Sequence, residues 1–294
     1  MKIGSNRSRA YRIVCLILMI VLAILFTFPL YWIVTGAFKT PQDIYAQTPS
    51  WWPTEWTMAN FAKLFTRRPV PLFAIGSFEG PQVPGAIRWL INTVFMAVAA
   101  MILTCITATM AGYALAKKRF VGRGLLFSLI VCAMALPKQV ILIPLLKEMS
   151  ALHLWDTLWA VIFPTVGWPF GVFLMKQFSE SIPGEILEAT RVDGASEWRT
   201  FITVVTPMVK PGIGALAIFT FINSWNDYFM QLVMLSSNAN YTISLGIATM
   251  QAETSVDLGL LMSGAALAAV PIIIVFLIFQ KYFTKGITMG AVKG

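Results

Sequence analysis

The chain has few of the side chains that carry covalent chemistry. Its single histidine, His153, has no H-x-x-x-H neighbour and no carboxylate at metal spacing, which argues against zinc chemistry and for an interfacial position. The three cysteines, Cys15, Cys105 and Cys132, lie in apolar runs without a C-x-x-C pair. Neither a disulfide framework nor a metal site is indicated, and small buried apolar side chains are expected. No G-x-x-x-x-G-K-[ST] occurs, so the chain holds no nucleotide through a phosphate loop, and any ATP that drives it must sit on another subunit. No catalytic residue, no metal ligand and no cofactor site is assigned to this chain.

Charge is scarce as well. Charged residues make up 12 % of 294, against 57 % hydrophobic. A soluble domain of that composition would expose a very large apolar surface, so an integral membrane protein is expected. Lys and Arg outnumber Asp and Glu by 22 to 13, yet the bases are scattered between apolar runs and form no single patch, which argues against nucleic acid as a partner.

Read in order, a basic N-terminus (1–12) gives way to an apolar run at 13–35, too long for a signal core and without a small-residue cleavage site, hence an uncleaved first span. Residues 36–88 are rich in proline and aromatics and read as an extramembrane loop. A core from 89 to 284 holds five more apolar runs: Trp89 to before Lys117, about Leu125–Leu146 with Pro137 and Pro144 as kinks, roughly Leu158–Met175, Ile213–Leu235, and about Leu260–Phe279. Two polar stretches interrupt it, at 179–212 and 236–257, and a tail follows at 285–294. The expectation is an all-α polytopic membrane protein of six transmembrane helices. Bases gather around both termini, 117–123 and 176–210, which places these on the cytoplasmic side and the loops 36–88 and 236–257 outside.

The 179–212 stretch is polar but patterned like folded protein. Pro183 suits a helix start, Gly194 a sharp turn, and Pro207 and Pro211 limit a second helix. Trp198, Phe201, Ile202 and Val205 follow at i, i+3, i+4 and i+7, one apolar stripe that needs a partner. In the fifth run Thr220, Asn223, Asp227 and Gln231 are spaced by three, four and four, so they share a helix face over about three turns. Such a face lines a polar path or binds helices together, and both readings stand. Asn92, entering the second span beside Trp89, has the same two readings. Arg67, Arg68 and Arg88 on the outer side suit either an acidic ligand or a docking protein.

The segment Ser181–Thr190 (SIPGEILEAT), Asp193-Gly194-Ala195-Ser196, and Val205-Thr206-Pro207 with Pro211 resembles the EAA loop of ABC importer permeases of the carbohydrate type, the MalG-like subunits of the binding-protein-dependent sugar transport family. Thr190 replaces the usual second Ala and Thr206 the usual Leu. Trp225-Asn226-Asp227-Tyr228-Phe229 is similar to the family's W-N-D-F signature. The resemblance implies a heterodimer with a second, MalF-like permease, two copies of a cytoplasmic ATPase that bind ATP and Mg, an extracytoplasmic solute-binding protein, and a place in the bacterial inner membrane. It also implies ATPase coupling through Glu188, Ala189, Thr190, Asp193 and Gly194, with the Trp198 stripe as anchor. Thr249, Gln251, Glu253 and Asp257 are implied as contacts for the binding protein, and the 285–294 tail as reaching the ATPase. The alternatives within the membrane class are a secondary carrier, which usually has an internal repeat, and a polytopic membrane enzyme, which needs catalytic residues; neither feature is found.

Overall fold

Proline and glycine decide where many of this chain's helices begin and turn. The computed structural model describes residues 4–75, 78–252 and 257–291. Helix α1 (Gly4–Ala37) is followed by short α2 (Pro41–Ile44) and α3 (Ala59–Thr66). Strand β1 (Pro69–Pro71) pairs with β4 (Gln82–Pro84), and between them β2 (Ala74–Ile75) pairs antiparallel with β3 (Phe78–Glu79). Helix α4 (Gly85–Lys117) then runs unbroken for 33 residues with no proline inside it. Next come α5 (Arg123–Ala133), α6 (Lys138–Ala151), α7 (Trp159–Val166), α8 (Pro169–Glu180), α9 (Gly184–Val192) and α10 (Glu197–Thr200). A π turn at Phe201–Val205 leads into α11 (Thr206–Met208), α12 (Lys210–Asn226), α13 (Tyr228–Met234), α14 (Ile243–Ala252) and α15 (Leu258–Ala291).

Among the described residues, four stretches are long and apolar enough to cross a membrane: Tyr11–Ala37, Gly85–Lys117, Trp159–Glu180 and Leu258–Gln280. Two bent pairs, Arg123–Ala133 with Lys138–Ala151 and Glu197–Met208 with Lys210–Asn226, bring the number to six if each pair is one span. The chain is a multi-pass membrane protein.

Its described residues fall into two compact units, one formed by those up to Pro69 with 247–270, the other by Val70–Gly246 with those from Pro271 onward. In the first unit, Asn60 on α3 is buried and donates to the carbonyls of Ala37 (3.0 Å) and Lys39 (2.9 Å), so it satisfies acceptors just past the end of α1. Phe28, Trp32 and Trp51 pack ring to ring, and the Lys39 ammonium sits 4.2 Å from the centre of the Trp32 ring. In the second unit, α4 is the common partner. Met96 and Ala100 pack with Leu142, Met149, Ile162, Met234 and Leu245 in one buried cluster. Ala108 and Tyr113 pack with Met175, Ile182, Leu187, Val205, Val209 and Leu216 in another. At Gly112 the backbone of α4 meets that of α8 so closely that a Cβ would lie 2.6 Å from the Lys176 nitrogen.

Several expectations change. The third run is not kinked but broken, with α5 and α6 meeting at 105°. Pro137 lacks the N–H a continuing helix needs and disfavours helical angles at Leu136, while Pro144 is accommodated inside α6. The 36–88 loop holds α2, α3 and the paired strands. The 236–257 stretch contains a helix, α14, with Ile243, Leu245, Ile247 and Met250 buried. Its polar residues, read as loop, alternate with apolar ones that find a core. Helix α15 continues past Phe279 to Ala291, so the tail expected from 285 is helical that far, and 292–294 lie outside the described residues. Cys132 is exposed rather than buried, because α5 buries none of its residues.

Candidate functional site

The 179–212 segment forms the expected helix, turn and helix. Pro183 precedes α9 in an extended conformation, and Glu185 and Arg191 place opposite charges at the ends that favour them. Asp193 ends the helix and Gly194 takes φ +73°, where an L side chain is strained even though the space around it is open. The Ser196 hydroxyl then caps α10 by accepting from the Arg199 N–H at 3.3 Å. Across the turn, the Ala195 N–H donates to the Thr190 carbonyl (3.0 Å), and the hydroxyls of Thr200 and Thr190 are 3.3 Å apart. Glu188, Ala189, Asp193 and Gly194 are exposed and Thr190 is half-buried. The underside, Leu187, Val205 and Val209, is buried in the cluster with Tyr113 and Met175. The segment therefore offers a mixed outer face, with exposed Ile186 and Val192 among the polar residues, on an apolar base.

The predicted anchor stripe is divided. Val205 is buried and Phe201 partly so, 5.6 Å from the Tyr113 ring, whereas Trp198 and Ile202 are 59 % and 49 % exposed. The cause is the π turn. The Thr206 N–H reaches back five residues to the Phe201 carbonyl, the Thr206 hydroxyl bonds the same oxygen at 2.9 Å, and Pro207 has no N–H to restore the α ladder. Five residues per hydrogen-bonded turn shift the register, so i+4 and i+7 no longer lie where α spacing puts them.

Two consecutive bases at the end of α4 hold this segment. Lys117 donates to the carbonyls of Glu180 (3.1 Å) and Ile182 (2.6 Å), at the C-terminal end of α8. Lys118 pairs with Glu197, in the first turn of α10, and lies 5.2 Å from the centre of the Tyr113 ring. Arg191 on α9 reaches the other Glu197 oxygen at 3.7 Å. The hydrogen bond from Lys118 is the main force holding the Glu197 carboxyl below the usual glutamate range; burial opposes it and Arg191 adds to it. From sequence these bases were legible only as topology signals.

The polar face of the fifth run is also rearranged. The helix breaks at Asp227 (φ −79°, ψ 61°), so Gln231 starts on a new helix and the four residues do not share one continuous face. Asp227 caps α13 by accepting from the Met230 N–H (3.3 Å) and pairs with Lys138, the first residue of α6, at 2.8 Å. Gln231 is buried and donates to the Ser224 carbonyl (3.2 Å) while accepting from the Thr242 hydroxyl (2.6 Å). Thr220 is buried with its hydroxyl unpartnered, and Asn223 is half-buried. Asn92 is buried and donates to the carbonyls of Ala239 (2.8 Å) and Tyr241 (2.9 Å), and Trp89 donates to that of Asn238 (2.7 Å). Asn92 and Gln231 thus brace the chain, the helix-binding side of the two readings. Asp156, at φ +59°, had no signal in the sequence; its carboxylate accepts from the N–H groups of Ser236 (2.7 Å) and Ser237 (2.9 Å) and fixes the same region.

Of the residues considered for a docking protein, Thr249 accepts from Arg68 at 3.4 Å and Gln251 is half-buried on α14. Asp257 pairs with Lys63 at 3.1 Å and caps α15 by accepting from the Leu260 N–H at 3.0 Å. Burial pushes the Asp257 carboxyl up, but the Leu260 and Lys63 bonds outweigh it and leave it below the usual range. Glu253 lies outside the described residues. Arg88 donates to the carbonyls of Leu72 and Ala239, which turns it inward to the backbone.

Residues 108–289 match the family described as binding-protein-dependent transport system inner membrane component. The chain is 30 % identical, over 99 % of both chains, to the arabinooligosaccharides transport system permease protein AraQ of Bacillus subtilis (strain 168). It is 24 % identical to the diacetylchitobiose uptake system permease protein NgcG of Streptomyces coelicolor, over 99 % of this chain and 92 % of that one. Its fold is similar to a chain of a bacterial ABC transporter involved in the import of the acidic polysaccharide alginate, with a TM-score of 0.76 and 22 % identity over 96 % of this chain and 100 % of that one.

Proposed function

The chain belongs to the family of binding-protein-dependent transport system inner membrane components, and we infer from that membership that it is the permease subunit of an ATP-driven importer that carries oligosaccharides across a bacterial inner membrane. The observation that carries the reading is end-to-end similarity to a sugar transport permease, 30 % identical over 99 % of both chains. Because the sequence has no phosphate loop, ATP and Mg belong to a separate ATPase, present as two copies below a heterodimer of this chain with a second permease. A solute-binding protein delivers the sugar from the other side.

In this arrangement both termini and the 179–212 segment face the cytoplasm. The exposed face of α9, with Glu188 and Ala189 and the turn at Gly194, is the surface the ATPase grips. Its base, Leu187, Val205 and Val209, is buried against α4 and α8, so a displacement of the surface moves packed helices rather than a slack loop. A helix pair on an apolar base transmits a push and a pull alike. The charge of Asp227, at the break before α13 and paired with Lys138, is our candidate for the lining of the sugar's route, while Asn92 and Gln231 keep the surrounding helices in register.

Reconstitution with the partner permease, the ATPase and the binding protein tests this. ATP hydrolysis should rise only when binding protein and sugar are both present, and Gly194→Pro or Glu188→Arg should abolish the rise while membrane insertion persists. Sugar uptake that proceeds without ATP, on an ion gradient, would instead mark a secondary carrier.

A further inference from the structure

We propose that Lys117, Lys118 and Glu197 form a strap that positions the coupling helices on the end of α4, and that this strap is needed to couple ATP hydrolysis to transport though not to fold the protein. The inference rests on the coupling role proposed above for the 179–212 segment.

Lys117 is the last residue of α4, and its ammonium lies on the final carbonyl of α8 and on Ile182, just before α9. Those carbonyls are at the negative end of a helix, where a cation satisfies acceptors that have no partner within the helix. Lys117 therefore fixes the entry to the first coupling helix. Lys118 leaves α4 in an extended conformation and turns to Glu197, in the first turn of the second. Its ammonium lies over the Tyr113 ring, which packs on Phe201, so the same lysine meets the base of the segment as well as its edge. Glu197 also meets Arg191 and so spans the Gly194 turn.

The strap has the character of a positioning device. Glu197 is 61 % and the Lys118 side chain 30 % exposed, and pairs of that kind contribute little to folding. What they fix is orientation. The apolar base carries the load, and the contacts on either side of it, at Ile182 and at Glu197, set the angle at which the pair of helices meets the end of α4. Without them the angle is no longer set, and part of a push on Gly194 is lost before it reaches α4.

The test uses the complete transporter, reconstituted in vesicles with its partner permease, ATPase and binding protein, and reads sugar-stimulated ATP hydrolysis and sugar transported per ATP. Lys118→Glu and Glu197→Lys alone should each lower the stimulated rate roughly fivefold, the low end of allosteric coupling factors, and the double exchange should recover most of it. Lys118→Met, which removes the charge without reversing it and keeps an unbranched side chain, guards against misfolding; it should assemble and unfold as the parent does while losing coupling. The proposal is overturned if the single exchanges couple normally, if the double exchange is no better than the singles, or if every loss of coupling tracks a loss of assembled complex. Gly194→Pro separates the two readings. If it uncouples while the strap variants do not, only the strap fails; if it also couples normally, the coupling role of the segment fails with it.

Discussion

The two ends of α4 are held in opposite ways. At its start, Trp89 and Asn92 are buried and donate to the carbonyls of Asn238, Ala239 and Tyr241, while the Thr93 hydroxyl accepts from the Ile243 N–H at 2.9 Å. At its finish, Lys117 and Lys118 hold the coupling helices through charges that water reaches. Neutral hydrogen bonds in a dry setting lose their full desolvation cost when one partner goes, so they define one geometry. Exposed ionic contacts are weak and replaceable, so they steer without locking. One end is fixed by buried neutral bonds, the other held by exposed ionic ones.

The contrast can be broken hardest at Trp89. Trp89→Ala removes a fully buried ring and its hydrogen bond, and should cost about 3–5 kcal/mol, read as a large drop in the thermal midpoint of the purified complex. Asn92→Leu keeps much of the volume but leaves the Tyr241 carbonyl without its Asn92 donor and the Ala239 carbonyl with Arg88 alone, at about 1–3 kcal/mol; a smaller drop in the same midpoint checks it. At the other end Gly194→Ala meets open space but a left-handed backbone, so roughly 1–2 kcal/mol of strain is expected, with stimulated ATP hydrolysis falling further than stability does. Lys118→Met should change stability by less than about 1 kcal/mol. An unfolding cost at Lys118 as large as that at Asn92 would erase the distinction between the ends.

Acid sharpens the same comparison. The Glu197 carboxyl titrates below its ordinary value, so the stabilisation from its pair is complete above that ordinary value and is lost as pH falls through the depressed one. Coupling should therefore persist through mildly acidic conditions and fail at lower pH, before the neutral bonds at Trp89 and Asn92 respond. Measuring stimulated hydrolysis beside intrinsic tryptophan fluorescence along one pH series separates the two.

What the sequence made legible follows from local rules. Pro183 and Gly194 announce a helix start and a sharp turn, and each is found where its chemistry requires, whereas Pro207 and Pro211, read as limits of the second helix, sit in the first turns of α11 and α12. The apolar runs were legible because a membrane span needs length and little else. The π turn was not, since it depends on what replaces the N–H that Pro207 lacks, and the Thr206 hydroxyl is as consistent with an α-helix as with a wider turn. Asp227 was legible as a costly charge, but its partner Lys138 lies 89 positions away in sequence and is brought near only by two helix breaks. Lys117 and Lys118, read from the sequence only for charge bias, also make contacts that no local pattern announces.

Helices α5 and α6 meet at a sharp angle and α12 stops at Asp227, but α4 has neither a proline nor a break along its 33 residues. At 1.5 Å per residue that is about 50 Å of uninterrupted ladder. Such a member is stiff along its length, and at Gly112 it touches α8 backbone to backbone with no side chain between them to compress. On the coupling role proposed for the 179–212 segment, load applied at one end would be delivered to the other with little stored on the way, and the joints that yield would be the broken helices, with α4 as the pushrod.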